Sequence, residues 1–324
     1  MHKDERRLLK SDAADALRKA SQCPRKITLI HSGVSAALAL LIAGLQFVLD
    51  QQIAGTGGLS GISNRALLET IQSMLQYANI LLLPFWEMGL LWAFLQTGRR
   101  QQTQYRDLLA GFDRFGPVLR GKLLYIMQVM AWAFIGSYAG AVIYSYSPLS
   151  APFYEAAEPY LSAYLEGGMV DYAAMMADQA VMTAAAWAIP FILCGMAVAA
   201  VPVIYRLRLM DYILLDQPRK GAFFALRASK ALMKGKRLAL FKLDLSFWWF
   251  YLLELLIAAV CYSDLILPAV GIDPGISADT AFFAFYALAL VCQIGLYAWK
   301  KPMLLTAYGR FYDSLLPQES PNED

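Results

Sequence analysis

Residues 27–49 read ITLIHSGVSAALALLIAGLQFVL, bounded by Arg25-Lys26 before and Asp50 after. A hydrocarbon layer of about 30 Å needs about 20 residues of helix to cross it, and this stretch is long and apolar enough to do so. Five more blocks of the same kind follow, at Ala78–Thr97, Leu123–Tyr146, Met182–Ile204, Ala239–Tyr262 and Thr280–Trp299. A backbone in lipid must satisfy its own hydrogen bonds, so each block is expected to be a helix. The blocks are too long and too continuous for barrel strands, which alternate apolar and polar residues with period two. The expected fold class is all-α, a polytopic transmembrane helical bundle of about six spans.

Composition agrees with that reading. Of 324 residues, 58% are hydrophobic and 16% charged, where a soluble domain carries about 25% charged. The mean hydropathy is +0.45. These values exclude a disordered chain and argue against an ordinary soluble enzyme.

Cations set the expected orientation, because short cytoplasmic loops retain Lys and Arg. Eight of the 28 lie in residues 1–26, six in 98–122, nine in 205–238 and three in 300–324. The loops at 147–181 and 263–279 have none and carry Glu155, Glu158, Glu166, Asp171, Asp178, Asp264, Asp273 and Asp279. Both termini are therefore expected in the cytoplasm. The chain divides into a cytoplasmic N-terminal segment (1–26), a six-span membrane domain (27–312) and a polar C-terminal tail (313–324). Residues 1–26 are too polar and too long for a cleavable signal peptide, so span one is expected to be a retained signal-anchor in the plasma membrane. Cys23 falls on the cytoplasmic side and Cys194, Cys261 and Cys292 inside spans, which predicts no structural disulfide and no metal site.

The loops add detail. Gly55–Gly61 (GTGGLSG) reads as a turn, since it lacks the GxxxxGK[ST] pattern of a phosphate cradle. Ser147–Ala180 mixes tyrosines and methionines with acids and suits a helix lying at the interface. Placed on one helix from Lys220 to Arg237, the cations Lys220, Arg227, Lys230, Lys234 and Arg237 fall within a stripe of roughly 100°, with Phe224, Leu226, Leu232 and Met233 outside it. Such a stripe attracts anionic headgroups and also enforces topology. It offers no base-reading element, so no nucleic-acid partner is expected.

An ionisable residue at membrane depth costs about 2.5–3.5 kcal/mol, so each one is a functional candidate. Glu87 lies mid-span, one turn after Pro84, whose ring removes a backbone hydrogen bond. Asp244, Phe247, Tyr251 and Glu254 follow spacings of three, four and three, which gathers two carboxylates and a phenol towards one side of a helix. Lys242 and Asp244 lie near the cytoplasmic surface and can snorkel. Glu87, Glu254, Tyr251 and Asp244 are thus the candidate intramembrane ion or proton site, and protonated carboxyls acting as helix glue are the alternative reading. His31 and His2 have no ligand-spaced partner. No HExxH, GxSxG or phosphoryl-transfer motif occurs, so neither enzyme chemistry nor a cofactor is expected.

A further set of residues carries a family resemblance. Tyr205-Arg206, Met210, Tyr212, Asp216-Gln217-Pro218, Ala228-Ser229-Lys230, Met233-Lys234-Gly235-Lys236, Leu240-Phe241, Leu243 and Leu245-Ser246-Phe247 resemble an uncharacterised bacterial integral membrane protein family, domain of unknown function 975. Pro302, Thr306-Ala307 and Phe311-Tyr312 match its later pattern, and Leu9-Lys10 and Ala16-Leu17-Arg18 are similar to the way members begin. Trp248 departs from it, standing where members carry a small residue. The resemblance implies a multi-span bacterial membrane protein with no established activity, catalytic residue or cofactor.

Arg120-Gly121-Lys122 and Lys234-Gly235-Lys236 stand 114 residues apart, each opening an outward-running span, as in a parallel repeat or as topology alone would produce. The expected function is a non-catalytic transport-associated or membrane-organising component, whose partners are anionic headgroups of the bilayer and a protein or a second copy of the chain. The alternative is a proton- or cation-coupled carrier using Glu87 and Glu254.

Overall fold

The structure, a computed structural model, describes residues 3–20, 22–55, 61–165, 169–263, 267, 275 and 278–316. Among these all regular structure is helical. Residues 56–60 of the Gly-rich connector, Glu166, and most of the acidic stretch 263–279 lie outside them.

Five helical runs are long and apolar enough to cross a membrane: Pro24–Gln52, Arg65–Gly98, Phe115–Ser145, Gln179–Asp216 and Thr280–Asp313. The fifth expected span, at 239–262, is two helices, α12 (Arg237–Leu245) and α13 (Trp248–Cys261), which meet at 65°. Taken as one broken span, the pair brings the number to six. The break has a local cause. The Ser246 hydroxyl donates to the Leu243 carbonyl at 2.5 Å and the Phe247 amide to the Asp244 carbonyl at 2.8 Å, so the chain tightens into a turn where the helix would continue.

Two compact units make up the chain. The first comprises residues 1–121 and 209–324. It holds α1 (Lys3–Arg18), α2 (Pro24–Gly55), α3 (Gly61–Gly98), a 3-10 turn at Tyr105–Leu109, α4 (Ala110–Asp113) and the start of α5 (Phe115–Ser145). After residue 209 come α10 (Met210–Asp216), α11 (Gly221–Leu232), α12, α13 and α14 (Ala278–Asp313). The last of these is the spine of the unit and packs on α1, α2, α3 and α13. Ile27, Leu90, Ala93, Phe94 and Leu108 form a buried cluster, flanked by Leu17, Trp86 and Leu305. Met210, Leu214, Leu215 and Tyr312 are buried as completely. Away from this core large apolar side chains point outwards, among them Val34, Leu41 and Val48 on α2 and Leu288 and Val291 on α14. A contiguous apolar surface of this kind suits lipid better than water.

The basic segment departs from the single helix expected over 220–237. A 3-10 turn at Pro218–Lys220 precedes α11, which ends at Leu232, and residues 233–236 turn before α12 begins at Arg237. Gly235 takes φ of +75° in that turn, a conformation that costs a glycine nothing and stops the helix. Arg227 and Lys230 therefore share α11, while Lys220 ends the turn before it, Lys234 lies in the turn after it and Arg237 opens α12.

The second unit, residues 122–208, holds the rest of α5 with α6 (Ala151–Leu165), α7 (Tyr172–Ala177), α8 (Gln179–Ala185) and α9 (Ala188–Leu207). Gly136 and Gly140 are one turn apart on α5 and let its backbone meet that of α9 at Gly195. A Cβ on Gly140 would collide with the Phe191 carbonyl, and one on Gly195 with the Gly136 carbonyl. Small residues at this spacing are how membrane helices pack closely. The loop read as one interfacial helix forms α6, α7 and the start of α8, with Asp171 capping the start of α7 and Asp178 that of α8. Asp171 accepts from the Ala174 amide at 3.0 Å, and Asp178 accepts from the Ala180 amide at 2.8 Å and from the Tyr160 hydroxyl at 3.1 Å.

Candidate functional site

The antiparallel pair α2 and α3 is locked by a reciprocal contact. Trp86 Nε1 donates to the His31 carbonyl at 3.1 Å and lies 3.0 Å from Ser35 Oγ, while His31 Nε2 donates back to the Trp86 carbonyl at 3.2 Å. The two rings stack with centroids 5.0 Å apart and planes 8° from parallel. This contact leaves the next residue, Glu87, facing a cavity of about 410 Å³ bounded by α2, α3, α13 and α14. The volume falls in the range of small-ligand pockets.

Glu254 reaches the same cavity from α13. Its Oε1 accepts from the Tyr297 hydroxyl at 2.9 Å, and that hydroxyl accepts in turn from Gln293 Nε2 at 3.1 Å. One turn on along α14, Lys301 places its ammonium 3.9 Å from the centroid of the Tyr297 ring. Glu87 and Glu254 both attract it electrostatically. No hydrogen bond joins the two carboxylates, and Lys301 lines the same cavity. His31, only 3% exposed, lines the cavity as well, and its Nδ1 has no hydrogen-bond partner.

Asp244 and Tyr251 belong to a separate chain of hydrogen bonds. The Tyr308 hydroxyl donates to Asp244 Oδ1, so the 2.7 Å contact between the Tyr251 and Tyr308 hydroxyls has Tyr251 as donor. This relay ties α12 and α13 to α14 on the far side of the break, and neither Asp244 nor Tyr251 lines the cavity. The four residues of the candidate intramembrane site thus fall into two places, Glu87 and Glu254 in one and Asp244 and Tyr251 in the other.

Three arrangements leave no plain mark on the sequence. Lys301 and Tyr297 are the first, because the last span was expected to end at Trp299 whereas α14 continues through Pro302 to Asp313. The i, i+4 spacing of Tyr297 and Lys301 was the available signal. The second joins three helix ends. Arg99, just past α3, donates to both oxygens of Asp216, at 2.6 and 3.1 Å, and to Asp313 Oδ1 at 2.8 and 3.1 Å. Tyr312 adds a 3.2 Å bond to Asp216. The carboxylates, Asp216 first, hold the guanidinium above its ordinary pKa, so it stays charged.

The third arrangement involves α1. Lys10 Nζ donates to the Ser246 carbonyl at 3.0 Å and lies 4.1 Å from the centre of the Phe247 ring, and Arg6 Nη1 donates to the Lys242 carbonyl at 3.2 Å. These carbonyls are the ones that the end of α12 leaves without a helical partner. Burial, followed by the neighbouring charges of Arg6 and Lys300, pushes the Lys10 ammonium below its ordinary pKa.

The model of a family described as proteins of unknown function, DUF975, matches residues 4–317. The chain belongs to this family. No curated protein and no solved structure matches it. Several residues that carry the DUF975 resemblance lie around the Arg99 cluster. Asp216 and Tyr312 bond within it, the Tyr212 and Tyr312 rings stack at 5.4 Å, and Met210, Thr306 and Ala307 are fully buried. The cavity of this DUF975 chain, by contrast, is built from residues outside that pattern. Among the described residues no three His, Cys, Asp or Glu side chains come together as a metal site.

Proposed function

We propose that this chain is a non-catalytic, multi-pass protein of the bacterial plasma membrane with both termini in the cytoplasm, and that it acts as a proton- or cation-coupled carrier of a small solute. The observation that supports this reading is the meeting of Glu87 and Glu254, from different helices, on one cavity beside Lys301. Two carboxylates and one ammonium sum to a single negative charge. Leaving that charge uncompensated at membrane depth is costly, and one proton or one monovalent cation removes it. The other titratable groups on the cavity are His31 from α2, Tyr286 and Tyr297 from α14, Cys261 from α13 and Tyr262 beside it. The test is dissipation of an imposed pH gradient in proteoliposomes on addition of Na⁺, K⁺ or members of a panel of ammonium, carboxylate and neutral solutes. Dissipation by at least one solute that disappears in Glu87→Gln and Glu254→Gln supports the carrier. Gradients that persist for every solute, with protein shown to be inserted, overturn it.

A second reading rests on the basic segment. Phe223 and Leu238 are 69% and 72% exposed beside Arg227, Lys234, Lys236 and Arg237, a mixture suited to anionic headgroups at a leaflet surface. Binding to vesicles that rises with anionic lipid content and weakens with salt supports this contact. For the termini, the test is a variant whose one cysteine is the exposed Cys23. An impermeant maleimide should label it only after intact cells are opened, and labelling of intact cells overturns the orientation.

A further inference from the structure

We infer that the solute of this cavity is a lipophilic organic ammonium ion, whose cationic head sits among Glu87, Glu254 and His31 Nδ1 while its apolar body lies along the walls. The inference rests on the carrier reading and names the class of ligand. It follows from which hydrogen-bonding groups of the cavity are already used and which are free.

His31 Nε2 faces the Trp86 carbonyl, which only accepts, so Nε2 carries the hydrogen. In the neutral ring Nδ1 is then a bare lone pair, and it is buried without a partner. The Tyr297 hydrogen is committed to Glu254 Oε1, and Gln293 spends one amide hydrogen on Tyr297. What Glu87, Glu254 and His31 leave for a ligand is acceptor capacity: the second oxygen of Glu254, the carboxylate of Glu87 and His31 Nδ1, against which the Lys301 ammonium is the one cationic donor of the described lining. A donor-rich head satisfies these groups, and a carboxylate or phosphate does not. Lys301 neutralises one of the two carboxylates, and its ammonium disfavours a divalent ion, so the charge left to be matched is one positive unit.

The walls decide the rest of the molecule. Beyond the charged end the cavity is lined by Leu38, Leu83, Ile257, Ala258 and Leu290. A bare inorganic cation would leave these surfaces in contact with nothing it could bind, whereas an alkyl or aryl body removes them from water. The shape is that of a site for an amphiphile, with its head fixed by charge and its tail by burial.

The test uses the full chain in phosphatidylcholine nanodiscs, with empty nanodiscs subtracted, and three probes that share one apolar body: 2-phenylethylamine, 2-phenylethanol and 3-phenylpropanoate. At neutral pH the amine should bind saturably and at least about tenfold tighter than the alcohol, with no saturable binding of the carboxylate. Glu87→Gln and Glu254→Gln should each cost the amine about tenfold. Lys301→Met should strengthen amine binding, because it leaves both carboxylates uncompensated. That gain keeps the test decisive if a glutamate variant fails to fold. Equal binding of amine and alcohol, preference for the carboxylate, or amine affinity unchanged in the Lys301 and glutamate variants overturns the inference. Gradient dissipation that depends on Glu87 with no ammonium preference rejects the ligand class and leaves the carrier standing. Ammonium preference with no dissipation by any solute supports the ligand class and rejects the coupling.

Discussion

Arg99 holds Asp216 through two parallel hydrogen bonds, Nη1 to Oδ1 at 2.6 Å and Nη2 to Oδ2 at 3.1 Å, although 117 residues separate them. The same guanidinium takes Asp313, so the ends of α3, α10 and α14 are fastened by one side chain. All three groups are about four-fifths buried, which shields the cluster from most screening.

Loss of one member of a buried pair leaves the other charge unpaired and costs about 3–5 kcal/mol, and the remaining exposure brings the expected loss for Arg99→Ala nearer to about 1–3 kcal/mol. Arg99→Lys keeps the charge and loses the fork, so it should fall between wild type and Arg99→Ala. Thermal unfolding in detergent reads the order. Stability of Arg99→Lys equal to that of wild type would show that the paired geometry contributes nothing.

The contact between Lys10 and the Ser246 carbonyl makes a local prediction. Lys10→Met keeps the apolar stem but removes the hydrogen-bond donor and the charge over Phe247. Amide hydrogen exchange should quicken in α1 and across the turn at 246–247 into the start of α13, and should stay unchanged in α9. Uniform exchange in both proteins would mean that α1 does not fasten the break.

What could be read from the chain follows the physics of each feature. Lipid imposes length and apolarity on a crossing helix, so five of the six expected spans coincide with long helices. The break between α12 and α13 escaped notice because a serine hydroxyl bonding backward leaves no mark on hydropathy. Lys301 escaped because a cation after an apolar block reads as the end of a span, yet here α14 continues to Asp313 and Lys301 lines the cavity with both carboxylates. Glu87 and Glu254 stood out because isolated charges in apolar blocks are costly. That they share a cavity depends on α3 and α13 both packing on α14, which no local spacing encodes. Asp244 and Tyr251 group with Glu254 by helical periodicity, yet the turn at Ser246–Phe247 puts Asp244 on a different helix, and Tyr251, on α13 with Glu254, bonds to the Tyr308 hydroxyl that also bonds Asp244.

Asp178 supplies a pH dependence outside the spans. The Ala180 amide and then the Tyr160 hydroxyl hold its carboxyl below the ordinary value of 3.8. A carboxylate lowered on folding adds stability that is present above the unfolded value and is lost as pH falls through the folded one. Acidification into that window should therefore loosen the start of α8 and release Tyr160, which a rise in Tyr160 solvent exposure by NMR or oxidative footprinting would report. Asp178→Asn keeps one acceptor for the Ala180 amide and should remove the acid dependence. A transition that persists in Asp178→Asn would assign it to another group.

The close approach of α5 and α9 predicts a graded response to side-chain size at Gly195. A Cβ added there would strike the Gly136 carbonyl and would come within 3.0 Å of the Gly140 backbone, so no rotamer choice relieves the clash. Gly195→Ala must push the helices apart by the width of a methyl group, and overpacking of this kind costs about 1–3 kcal/mol. Gly195→Leu should cost more, since a wider gap forfeits packing along the whole crossing. The opposing contribution is entropic: a glycine replaced within a helix stiffens the unfolded chain and returns up to about 1 kcal/mol. Alanine at the unencumbered Gly44 of α2, where a Cβ meets nothing within 4 Å, isolates that gain. Unfolding measurements should thus show Gly44→Ala neutral to stabilising, Gly195→Ala destabilised and Gly195→Leu more so. Equal behaviour of the two alanine variants would mean that the helices are not in backbone contact at Gly195.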